Sequence, residues 1–122
     1  MAIQIESITL ATTDMMQMVE FYNTVLSSHL TSFQPYPDAT FYSGMLANIP
    51  LVMCPNIVAG VNAHQNRHQF RFKVDDIHQT FIAALNAGGT QITAIEEQDS
   101  RLMCAVYDPD GNSIVFVQDT AQ

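Results

Sequence analysis

Gln69, Arg71 and Lys73 alternate with Phe70, Phe72 and Val74, and a period of two places the three polar side chains on one face of a strand. An amide, a guanidinium and an ammonium in one row can anchor a carboxylate, phosphate or carbonyl group, the guanidinium through a planar fork. The alternative is a wet strand face whose cations pair with some of the twelve Asp and Glu residues. Both readings stay open. His64 and His68 are four residues apart, a spacing that suits two metal ligands on a helix. Gln65-Asn66-Arg67 between them lies at a connector-to-strand junction and lacks the Glu of a metalloprotease helix, so they read as surface or edge histidines. His29 and His78 read as solvated side chains near helix ends. Cys54 and Cys104 stand in apolar strand contexts and read as reduced core or pocket-wall thiols. No Ser-His-Asp or Cys-His arrangement is legible.

Elements that position these groups follow from periodicity. Residues 3 to 11 are β-branched and loosely alternating, which predicts a strand leading to Thr12-Thr13-Asp14. Asp14 with Gln17 makes a capping box, and Met18, Phe21, Tyr22, Val25 and Leu26 form one apolar helical stripe running to about Ser28. Three short strands fit near Thr31 to Gln34, Thr40 to Ser43 and Pro50 to Cys54, separated by Pro- and Gly-containing turns. Residues 55 to 62 have no clear period and read as a connector. The order then recurs. Phe70 to Val74 is a strand, Asp76 and Gln79 repeat the capping box, and Ile77, Phe81, Ala84 and Leu85 give a stripe that ends at Gly88-Gly89. Strands near Gln91 to Ile95, Leu102 to Tyr107 and Ser113 to Gln118 complete it, the last two joined by Asp108-Pro109-Asp110-Gly111-Asn112. The offset from Asp14 to Asp76 and that from Leu51 to Ile114 differ by one residue, which points to an internal duplication.

At 122 residues one domain is expected over 1–122, with module one at about 1–56, a connector at about 56–66 and module two at about 67–119. An apolar fraction of 48% argues for a packed core, and no apolar run is long enough to cross a bilayer. No basic segment precedes an apolar stretch at the N-terminus, so a cytoplasmic location is expected. The formal charge of −8 argues against nucleic-acid and anionic-membrane partners. Residues 1 to 66 contain no Lys or Arg, while Arg67, Arg71, Lys73 and Arg101 all lie beyond them.

A strand, an Asp-capped helix carrying Phe21-Tyr22 and Leu26, the same order again, and the hairpin from Tyr107 through Asp108-Pro109-Asp110-Gly111-Asn112 to Ile114 and Phe116 together resemble the vicinal oxygen chelate superfamily. That group includes glyoxalase I, extradiol dioxygenases, and the bleomycin and fosfomycin resistance proteins. The resemblance spans essentially the whole chain, and residues 107 to 116 are its most specific part. It implies an α+β fold of two tandem βαβββ modules, with curled mixed and antiparallel sheets around a cup, helices on the outer face, and a homodimer. In the family's enzymes the cup holds a divalent metal on side chains from the first and last strands of each module.

Parity assigns Ile8, Leu10, Leu51, Met53, Phe70, Phe72, Val74, Ile114 and Phe116 to the helix side. Ser7, Thr9, Ala11, Val52, Cys54, Gln69, Arg71, Lys73, Val115 and Val117 then share the other face. The family register places the metal positions at Ser7, Val52, Gln69 and Val115, of which only Gln69 is a plausible ligand. No metal and no other cofactor is therefore expected. The leading reading is a protein that binds or sequesters a small organic molecule in the cup. Ser7, Thr9, Gln69 and Arg71 would be its polar anchors, and Val52, Cys54, Lys73, Tyr107 and Val115 would also line the site. Tyr42 and Met103 are weaker candidates for the lining. Alternatives are a metal-independent lyase or isomerase acting on a small oxygenated acid through Arg71, Lys73 or a tyrosine, a binder of a cationic antibiotic, and a protein-interaction module.

Overall fold

A computed structural model describes residues 4–60 and 68–120; Ile3, His64 and Arg67 lie outside the described residues. The chain divides into two units, Met1–Asn62 and Ala63–Gln122. The first contains β1 (Ile8–Thr12), α1 (Met15–Leu26), β2 (Thr31–Tyr36), β3 (Ala39–Leu46), β4 (Ile49–Pro55) and a single helical turn, α2 (Asn56–Ala59). The second contains β5 (Phe70–Lys73), α3 (Ile77–Asn86), β6 (Thr90–Gln98), β7 (Arg101–Tyr107) and β8 (Ser113–Asp119). Each unit holds one four-stranded mixed sheet, in the orders β1-β4-β3-β2 and β5-β8-β7-β6. First and last strands pair in parallel, and the remaining pairs are antiparallel. The α+β class and the repeated βαβββ order are thus as the sequence reads.

Helices α1 and α3 begin where an Asp can satisfy a free backbone donor. The Asp14 carboxylate accepts from the Gln17 N–H at 3.3 Å, and the Asp76 carboxylate accepts from the Gln79 N–H at 3.1 Å. The return half of the first capping box does not form, because the Asp14 N–H donates to Thr12 Oγ1 at 3.0 Å instead. Helix α1 stops at Leu26, two residues before the predicted end. Ser27 turns into the left-handed region at φ 50°, and the Asn23 side chain both accepts from the Leu30 N–H at 2.6 Å and donates to its carbonyl at 3.3 Å. Those two bonds fold the chain back towards β2.

Parity decides the core. Leu51 and Met53 of β4, and Ile114 and Phe116 of β8, are fully buried on the helix side, with Met18, Phe21 and Tyr22 from α1 and Ile77 and Ala84 from α3 in the same state. Each large apolar side chain so buried stabilises the fold by about 1.5–3 kcal/mol. The first strand starts at Ile8 and leaves residues 4–7 outside it, since Ile8 pairs with Leu51 and the preceding step would face Pro50, which has no N–H for the ladder. Strand β2 runs past its predicted end at Gln34 to Tyr36, crossing Pro35 through a register shift between Phe33 and Tyr36. Proline is tolerated there because β2 is an edge strand and the shift removes the demand for its missing donor.

The hairpin after β7 is built on one buried carboxylate. Asp108 is 2% exposed and accepts from the N–H groups of Asp110 and Asn112, both at 2.9 Å, and from Asn112 Nδ2 at 2.6 Å. Gly111 supplies the left-handed residue at φ 88° that closes the turn.

Candidate functional site

In the second unit, pairing arranges the sheet face opposite α3 in rows. Arg71 lies across from Val115, Val115 from Ala105, and Ala105 from Thr93. The next row runs Lys73, Val117, Met103 and Glu96. On the other side, Gln69 Nε2 donates to Ser113 Oγ at 2.7 Å, and Ser113 lies across from Tyr107. Ala105, Val115 and Val117 form a buried apolar cluster with Met103 packed against it. Because Val115 is only 6% exposed, it acts as a dry wall more than a contact surface, whereas Tyr107 is 37% exposed.

The cations on this face differ in their company. Lys73 Nζ and Arg101 Nε both meet the Asp119 carboxylate, at 3.0 and 2.9 Å. Hydrogen bonds from Lys73 and then Arg101 hold the Asp119 carboxyl below the usual carboxylate range. Arg71 is exposed and has no hydrogen bond or ion pair with any described residue. The two readings of the Gln69-Arg71-Lys73 stripe therefore divide: Lys73 is salt-bridged as an ordinary sheet face would be, and Arg71 is not. Lys73 is tied to that carboxylate with its side chain 68% exposed.

The first unit presents a different surface. Thr9 lies across from Val52, Ala11 from Cys54, and Ser43 from Val52 on its other side. Ala39, Phe41 and Cys54 make a buried cluster with Val52 packed on it. Phe41 also contacts Phe33 and Tyr36 of the edge strand, at ring-centroid distances of 5.6 and 6.0 Å. Phe33 is 39% and Tyr36 57% exposed, so one side of this aromatic group is accessible. Ser7 and Thr9 are exposed, Ser7 lying just outside β1. The Cys54 thiol donates to the Pro55 carbonyl at 3.5 Å, and burial pushes its pKa up. Burial also pushes the Cys104 thiol up to about 11. Neither is disposed to be a thiolate nucleophile.

One predicted lining residue moves. Tyr42 lies across from Met53 on the helix side, and its hydroxyl donates to Met16 Sδ at 3.6 Å, so it does not share the face of Val52. The sequence reading lacked the register of β3 against β4, which sets this parity. That same register puts Phe41 on the face of Val52 and into its cluster, a role the sequence analysis did not assign. A groove of about 450 Å³ also went unread, lined by Thr12, Thr13, Met15, Pro55, Asn56 and Ile57 at the ends of β1 and β4. It depends on α2, whose single turn leaves no period to detect. His68 packs edge-on against Phe70, with ring centroids 4.9 Å apart, as an edge histidine. Among the described residues, no group of three or more His, Cys, Asp or Glu side chains is placed to hold a metal ion.

Residues 7–117 match the model of the glyoxalase-like domain. Similar solved structures include a glyoxalase/bleomycin resistance protein/dioxygenase family enzyme from Burkholderia phytofirmans, at 16% identity and TM-score 0.76 over 96% of this chain and 99% of that one. A glyoxalase-related enzyme from Fulvimarina pelagi aligns at 17% identity and TM-score 0.75, covering 95% and 88% of the two chains. The fosfomycin resistance protein FosX from Mesorhizobium loti aligns at 13% identity and TM-score 0.74, covering 98% and 95%. At such identities the likeness speaks to the fold. No curated protein matches the sequence significantly.

Proposed function

The chain belongs to the glyoxalase-like domain family, and from that premise we propose that it binds a small organic molecule on the helix-free faces of its sheets without a divalent metal ion. The observation that carries the reading is the pairing of Val52 with Thr9 and of Val115 with Arg71. Two hydrocarbon side chains occupy positions where the family resemblance calls for ligands, and their strand neighbours are a neutral hydroxyl and a cation. Ser7 and Gln69, two residues earlier on the same faces, add only neutral oxygen donors. A hard divalent ion takes six or so oxygen ligands with carboxylates among them, and zinc takes about three or more N, O or S donors. This donor set does not fit either ion. What remains on each face is an apolar cluster with polar groups at its margin, the composition of a small-molecule site.

Native mass spectrometry of the protein purified gently from its source tests this. The expected result is an organic adduct with no divalent ion, carried by the dimer that the family resemblance implies. A metal-bearing, adduct-free species would contradict it.

The first unit favours a second reading. Phe33, Tyr36 and Phe41 cluster within a segment that has no Lys or Arg up to residue 66, and accessible aromatic faces attract organic cations. Calorimetry with bleomycin, a cationic glycopeptide, decides it: saturable heat lost in Tyr36→Ala supports it, and no heat removes it.

A further inference from the structure

We infer that Arg71 takes the electrostatic place of the metal ion in the second unit, and that the ligand it selects is a monocarboxylate with an apolar body. The inference rests on the metal-free reading above and names the chemistry of that site. Arg71 stands directly across from Val115, on the strand pair where the family resemblance puts a ligand from each strand. Its stem leaves the sheet beside a side chain that is 6% exposed, so the site around it is bordered by a dry hydrocarbon wall. A charge-assisted hydrogen bond gains strength next to such a wall.

The other groups on this face are committed. Lys73 and Arg101 hold Asp119, and the Gln69 amide donates to Ser113. Glu96 lies one row away and three strands across, on the order of 15 Å from Arg71 at ordinary strand spacing, too far to neutralise it. Arg71 is thus the cation on this face that holds no described acid. Its planar fork matches the two oxygens of a carboxylate. A dianion would bring a second negative charge into a protein of net charge −8. From Arg71 the accessible path leads past Ser113 to the half-open ring of Tyr107, roughly 10 Å away across two strand spacings. An apolar body seated there covers the ring of Tyr107.

The test is a ¹H–¹⁵N NMR titration of the full chain with octanoate, octanamide and octyl phosphate. Octanoate is expected to shift the Arg71 Nε–H and the Ser113 and Tyr107 amides, with octanamide and octyl phosphate weaker by about tenfold or more. Arg71→Met keeps the stem and should lose the octanoate response by a similar factor, Arg71→Lys should fall between, and Arg101→Gln should match the native chain. Equal shifts by octanoate and octanamide, unchanged in Arg71→Met, would overturn the carboxylate assignment while leaving metal-free binding intact. Tighter binding of octyl phosphate would overturn the monoanion. No response at these residues to any probe would overturn the site. Octanoate binding that appears only with added Zn²⁺ would overturn both the inference and the metal-free reading beneath it.

Discussion

Asp119 illustrates how much a single exposed residue decides. By occupying both Lys73 and Arg101 it leaves Arg71 as the cation on its face without a described acid. Its folded-state pKa is depressed by those two donors, so its contribution to stability is present above the unfolded value of about 3.9 and is lost as pH falls through the lower folded value. Asp119→Asn should therefore lower Tm slightly at neutral pH, and the gap from the native protein should close below about pH 4. Thermal melts across that range check it; a gap that widened in acid would contradict the assignment. Sequence alone could place Arg71 and Lys73 on one face, because alternation is a local property. It could not say which of them was already paired, since Asp119 lies 46 positions beyond Lys73 and meets it only through the β5–β8 pairing.

At the scale of elements, two connections carry the sheets. Gly44 in β3 passes so near the chain after α1 that an added Cβ would overlap the Ser28 carbonyl oxygen and crowd the backbone of His29 and Leu30. That carbonyl already accepts the Met45 N–H at 2.8 Å, so the segment cannot retreat freely. Gly44→Ala is expected to cost about 1–3 kcal/mol in urea denaturation, and a neutral result would mean the segment yields more easily than its hydrogen bonds imply. In the second unit, Asp108→Ala removes the acceptor of three bonds at a buried site and should cost about 3 kcal/mol or more. Asp108→Asn keeps one acceptor oxygen and should cost less; denaturation of the pair in parallel checks the order. The caps, stripes and turn were legible because Asp, Gly and apolar spacing act within a few residues. Tyr42 was misplaced and α2 missed because one depends on register between distant strands and the other is a single turn.

Across the whole molecule, the repeat gives two sheets of identical strand order and different surface chemistry. The first unit presents Phe33, Tyr36 and Phe41 beside Thr9 and Val52; the second presents Arg71, Gln69 and Tyr107 beside Val115. The repeated order sets the topology, and the residues at exposed strand positions set what each face can hold. No helix among the described residues is long and apolar enough to cross a membrane. The family was legible from the order of elements and the Asp108 hairpin. The ligand was not, because it depends on which groups remain unpaired after the sheets form.

The most direct measurement is the metal content of the purified chain by elemental analysis, before and after dialysis against Zn²⁺ and Mn²⁺, with octanoate binding followed in each sample. Far less than one ion per chain is expected throughout, with octanoate binding that does not change with chelator. One tightly held divalent ion per chain, whose removal abolishes binding, would contradict it.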